Sequence, residues 1–89
     1  MAEQYDVSIK IVSVNGICEQ GHKVGDEWII KGDKTPGGLC IWAFSSISPM
    51  VCALAYGSSF PWSPDPDSAV AVCPDGDNPV EFEMRRLPK

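Results

Sequence analysis

From Thr35 to Pro64 the chain carries no charged side chain, and all nineteen of its charges lie in the two flanks. In a chain of 89 residues with a net charge of −5, thirty uncharged residues in a row must go into a core or an interface. A chain this short makes one domain, here residues 1–89, and a domain of this size buries only about 60–65% of its unfolded surface. Such scaffolds often add a metal, disulfides or a partner subunit. With 44% hydrophobic and 21% charged residues the composition is that of a folded globule. The acidic balance removes the domain-wide basic footprint that nucleic-acid binding needs.

Residues 38–57 have the length of a membrane span, but not its chemistry. Ser45-Ser46-Ile47-Ser48-Pro49 would put three hydroxyls and a proline at the bilayer centre, and no basic cluster flanks the stretch. The spacing instead predicts a buried pair of helices, Leu39 to Ile47 and Pro49 to Tyr56. Ser48 would be the N-cap and Pro49 the first helical residue of the second, with Gly57 just past its end.

The flanks read as strands. Tyr5, Val7, Ile9 and Ile11 alternate with Asp6, Ser8 and Lys10, which is the period of a half-buried strand. Val12 and Val14 then fall on the opposite face, so either the strand end is buried on both sides or a bulge shifts its register. Glu27-Trp28-Ile29-Ile30 and Ala69-Val70-Ala71-Val72-Cys73 are two further short strands. Val80, Phe82 and Met84 alternate with Glu81, Glu83 and Arg85 in a fourth. The order β-β-α-α-β-β makes this an α+β domain, an antiparallel sheet covered by a helical pair. A bent, partly closed barrel is the alternative.

Four cysteines stand far apart, with 21, 11 and 20 residues between them. No two are spaced C-x-x-C, which removes thioredoxin, zinc-ribbon and bacterial ferredoxin patterns. A site would have to be assembled in space. Cys18 lies four residues before His22, the only histidine, with Gly21 between to turn the chain, so a soft sulfur and an imidazole can reach one ion. Cys40 falls near a helix N-terminus, where amide groups stabilise thiolate. Cys73 ends a strand and precedes Pro74, as Cys-Pro ends the bacterial ferredoxin ligand run. Cys52 sits mid-helix between Val51 and Ala53 and is either a further ligand or plain core. The set Cys18, His22, Cys40, Cys52 and Cys73 thus points to a metal centre, an iron–sulfur cluster first and zinc second. The competing readings are inert thiols in a metal-free interaction module, a thiol enzyme with Cys18 or Cys40 as nucleophile and His22 as base, and disulfides.

Other patterns point away from chemistry. Asp65-Pro-Asp67 and Asp75-Gly-Asp77 lack the ligand spacing of a calcium loop and read as turns. No nucleophile elbow, phosphate loop or dinucleotide fingerprint is present. Trp28, Trp42, Trp62, Phe44, Tyr56 and Phe60 read as core, or more sharply as a subunit interface, and the apolar load predicts a homo-oligomer. Arg85-Arg86-Leu87-Pro88-Lys89 reads as a solvated basic tail.

The strings Cys18-Glu-Gln-Gly21-His22-Lys-Val-Gly25-Asp26 and Cys73-Pro74-Asp75, with the apolar centre around Cys40 and Pro79-Val80-Glu81-Phe82 after it, resemble a family of small uncharacterised prokaryotic proteins. That family is found mainly in anaerobes. The resemblance covers nearly the whole chain and implies a reducing context. Disulfides become less apt there, and iron–sulfur chemistry more so. The N-terminus has no basic-then-apolar leader, so the expected setting is cytoplasmic, with a redox partner protein and an electron-transfer, redox-sensing or accessory role.

Overall fold

The computed structural model describes residues 4–16, 21–32, 34–35 and 37–88. Five elements follow in order: β1 (Val7–Val14), β2 (Glu27–Ile30), α1 (Ile41–Ala55), β3 (Ser68–Val72) and β4 (Val80–Arg86). The strands form one antiparallel sheet in the order β2-β1-β4-β3, and α1 packs on β3, β4 and β1. The α+β class is therefore as expected. The sheet ends in two free-standing edge strands, so it is open and not a barrel.

The inner face of the sheet follows from register. Ile9 pairs with both Trp28 and Met84, Ile11 with Phe82, and Ala69 and Ala71 complete the rows on β3. Lys10 occupies the outer face between Glu27 and Glu83, where opposite charges across strands are favourable. The alternation of β1 breaks at Val12, which has no partner between Ile11↔Phe82 and Ser13↔Glu81. This bulge returns Val14 to the inner face, opposite Val80.

The expected helical pair is a single helix. α1 runs unbroken through Pro49. Its buried residues, Ala43, Ile47, Val51, Leu54 and Ala55, form one stripe at helical spacing that continues across the proline. Pro49 sits on the exposed side, where water can reach the carbonyl its missing N–H leaves unbonded. An interior proline costs about 3 kcal/mol. Burying Ile47, Val51 and Leu54 contributes about 5–9 kcal/mol as an upper bound, so packing wins over propensity. Gly57, at φ +89°, ends the helix as expected. Ser58 N–H donates to Ala53 O (2.9 Å) and Gly57 N–H to Leu54 O (3.1 Å), a Schellman closure.

The basic tail is not solvated at Arg86. β4 extends to this residue, whose side chain is only 10% exposed and meets four segments. It donates to Leu54 O and Ser58 O (both 2.9 Å), to Pro66 O (3.0 Å) and to Asp67 Oδ1 (2.9 Å), and it covers the Tyr5 ring at 5.4 Å. α1 has no basic residue in its last turn, so Arg86 supplies the cation at the helix C-terminus from another strand. Beside it, Asp65 Oδ1 accepts the Asp67 N–H (2.9 Å) and Asp65 Oδ2 meets Arg85 Nη1 (2.7 Å). The Asp67 amide first, then the Arg85 guanidinium, hold the Asp65 carboxyl below its ordinary value. The 75–78 turn likewise closes on Asp75 Oδ1, which accepts the N–H groups of Asp77 (3.0 Å) and Asn78 (3.1 Å), so both acidic clusters do turn chemistry.

Pro49→Ala should raise stability by about 1–3 kcal/mol at low protein concentration, seen as a higher urea midpoint at unchanged slope. A lower midpoint would show that the proline ring makes contacts worth more than the bond it forfeits. Because the Asp65 carboxyl is depressed in the fold, its contribution is complete above the unfolded value near 3.8 and is lost as pH falls through the folded one. The midpoint gap between the native chain and Asp65→Asn should therefore narrow only in the acid range; a gap that stays constant from neutral pH to pH ~2 would refute the linkage.

Candidate functional site

Strand polarity gathers the unusual side chains at one end of the sheet. The C-terminal ends of β1 and β3, the start of β4 and the start of β2 all meet there. α1 begins at this same end, since Ser46 Oγ in its second turn donates to Val72 O (2.8 Å). The opposite end holds the helix C-terminus, tied by Tyr5 N–H to Ala55 O (2.7 Å) and by Arg86.

Cys40 is the N-cap residue of α1, with φ −57° and ψ 131°. Its carbonyl accepts the Phe44 N–H (2.9 Å), but its side chain makes no capping bond, and the first turn of α1 contains no acid. The positive end of the helix is thus without a side-chain counter-charge of its own. Cys40 N–H donates to His22 Nε2 at 3.1 Å. A neutral His22 ring accepting at Nε2 carries its proton on Nδ1. The ring also stands edge-on to Trp28, with centroids 5.0 Å apart and planes at 69°. A tight turn sets this position. Lys23 N–H and Asp26 Oδ2 meet at 3.1 Å, Gly25 takes φ +97°, and Gly25 N–H and Asp26 O both bond to Ile11 of β1. A shallow hollow of about 270 Å3 lies over Gly38, Leu39, Cys40, Ile41 and Trp42.

Cys73 extends the β3–β4 ladder by one rung in an unusual way. Its N–H donates to Val80 O (2.9 Å), and the return bond from Val80 N–H goes to Cys73 Sγ (3.2 Å) rather than to a carbonyl. The Asp75-centred turn brings the chain back into position for this bond. Asn15 N–H donates to Pro79 O (2.9 Å) alongside, and a Cβ on Gly16 would run into the Asn78 side chain.

Of the five residues singled out from sequence, His22 and Cys40 are in direct contact, and Cys73 lies at the same end. Cys18 lies outside the described residues. Its nearest described neighbours, Gly16 and Gly21, are both at this end. Cys52 is neither core nor neighbour. It is exposed, and twelve residues of helical rise place it about 18 Å from Cys40. Among the described residues, no three His, Cys, Asp or Glu side chains stand together as a metal-holding group. Trp42 and Trp62 are 70% and 65% exposed, so the aromatic centre is only partly core; Trp28, Phe44 and Phe60 pack against the core. No helix among the described residues is long and apolar enough to cross a membrane.

No family model matches the chain, and no curated protein or solved structure is significantly similar to it.

Cys73→Ala should leave the buried Val80 N–H without an acceptor and cost about 1–3 kcal/mol, while Cys73→Ser, which keeps an acceptor, should cost less. Equal losses in denaturant titration would mean that the sulfur contributes bulk and not a hydrogen bond.

Proposed function

We propose that the chain holds a metal centre at the α1 N-terminal end of the sheet, an iron–sulfur cluster in the first place and zinc in the second. Its thiolate ligands are Cys18, Cys40 and Cys73. The observation that carries this reading is topological. Cys40, His22 and Cys73 share one end of the molecule with both described neighbours of the segment that bears Cys18. Two features support thiolates there. The first turn of α1 has no acid beside Cys40 to repel an anionic group placed there. The Val80 N–H on Cys73 Sγ is a bond of the kind that orients and tunes a ligating sulfur.

Since the described residues contain no ready group of three ligands, Cys18 is the residue on which the centre depends. His22 would complete it only by releasing the Cys40 amide, since ligation through Nε2 displaces that bond and ligation through Nδ1 moves the ring proton onto Nε2. Cys52 takes no part, because a single ion or cluster cannot bridge the length of the helix. The role that follows is electron transfer, redox sensing or service to an anaerobic enzyme, in a reducing cytoplasm.

Anaerobic purification followed by metal analysis and an absorption spectrum tests this directly. Metal should be present. It should fall on the order of tenfold or more in Cys18→Ala, Cys40→Ala and Cys73→Ala, and should be retained in Cys52→Ala. A folded, colourless and metal-free protein, or a metal content indifferent to Cys18, would overturn the proposal.

A further inference from the structure

We infer that Asn15 is a site of covalent self-modification: its side-chain amide condenses with the Gly16 nitrogen to a succinimide, which water opens to aspartate or isoaspartate. The chain has two asparagines, Asn15 and Asn78, and two places where an Asn or Asp precedes glycine, Asn15-Gly16 and Asp75-Gly76. Asn78 precedes Pro79, whose nitrogen has no hydrogen to lose and cannot attack. Asp75 is pinned, because its Oδ1 accepts the N–H groups of Asp77 (3.0 Å) and Asn78 (3.1 Å). Asn15 and Gly16 are both exposed. Among the described residues neither the Asn15 side chain nor the Gly16 N–H has a hydrogen-bond partner.

The fold itself requires the glycine of this pair. Gly16 stands at φ +93°, where L side chains are strained, and a Cβ there would run into the Asn78 side chain. Glycine also leaves the attacking nitrogen least hindered, since no Cβ stands beside it. The pair is anchored on its N-terminal side, where Asn15 N–H donates to Pro79 O (2.9 Å). The Asn15 backbone is thus held next to its neighbour while no bond restrains the two groups that must meet, which makes the reaction intramolecular and unopposed.

Water is the sole co-reactant. The deprotonated Gly16 nitrogen bonds to Asn15 Cγ, the Cγ–Nδ2 bond breaks, and ammonia leaves with the proton. Water then adds to one of the two ring carbonyls. Cleavage of the new N–Cγ bond restores the main chain with an aspartate. Cleavage of the original peptide bond leaves isoaspartate, whose main chain runs through Cβ and Cγ and is one carbon longer. Either product adds a negative charge to a chain of −5. The added carbon of isoaspartate enters between the Pro79 anchor and the close approach of Gly16 to Asn78. It therefore falls on the corner that also carries the bond from Val80 N–H to Cys73 Sγ (3.2 Å).

Incubation of the folded chain at mildly alkaline pH, followed by peptide mass mapping and enzymatic methylation of isoaspartate, reads the result whether or not a metal is bound. Each chain should gain about 1 Da in the peptide that holds Asn15, with isoaspartate formed there and not at Asp75 or Asn78. The native rate should lie within about tenfold of the rate in urea, because no hydrogen bond of the pair has to open first. Asn15→Ser, checked for a native circular dichroism spectrum, should abolish the gain. Asn15→Gln should slow it about tenfold or more, since glutamine would have to close a larger ring. The Val80 amide resonance should split as isoaspartate accumulates, and an unmoved one would overturn the consequence for Cys73. A native rate further below the unfolded one would overturn the inference. So would conversion at Asn78 or Asp75 in place of Asn15, or a gain that persists in Asn15→Ser.

Discussion

The arrangement of the whole molecule turns on the one residue of β1 that has no partner. Val12 is the extra residue of a bulge, and it shifts the phase of the strand between Ile11 and Val14. Without it, Val14 would point away from α1 and the inner face would end at the Ile11–Phe82 row. With it, a further apolar row forms where Val14 faces Val80, and the chain leaves β1 beside the turn that carries Cys73. The bulge therefore does two things at once. It lengthens the core of a domain with little core to spare, and it delivers the chain to the end of the sheet where the thiols stand.

At the opposite end a single guanidinium does the work that apolar contacts do elsewhere. Arg86 meets carbonyls of the helix end, of the chain that follows it and of the Asp65–Asp67 corner, and it lies over an aromatic ring. Its planar fork of donors suits several acceptors at fixed angles, which an ammonium could not satisfy together. The charge-free helix thus gains its C-terminal cation without placing one in the uncharged stretch, and the outer face of α1 stays without charge.

The strands were legible because period-two alternation is a local signal, and in Val80, Phe82 and Met84 it had only to be counted. The same count places position 86 on the inner face, so the buried role of Arg86 was within reach. Its charge and its place near the end of the chain concealed it. The bulge was legible as one of two options in the phase shift after Ile11. The helix break at Pro49 was misread because a proline is a strong local stop, whereas the stripe from Ala43 to Leu54 that overrides it acts through contact with the sheet. Of the site, the positions of Cys40 at a helix start and Cys73 at a strand end could be read from neighbouring residues. The exposure of Cys52 and Trp42 could not, since a helix uncharged on every side gives no sign of which side faces water. The bond from Val80 to the Cys73 sulfur had no sequence signal, because it depends on how the following turn returns the chain.

A proline in the middle of α1 also bears on how the molecule holds together in time. It divides the fifteen residues into two stretches of about half that length, each well short of the roughly 12–15 residues an isolated helix needs in water. Neither stretch has standing stability of its own, and there is no capping side chain at the start to supply any. The helix therefore exists only while the sheet is beneath it. Opening the sheet dissolves α1, and with it the N-cap geometry at Cys40 and the hydrogen bond to His22. Local order at that end of the molecule is thus a reporter of the state of the whole domain.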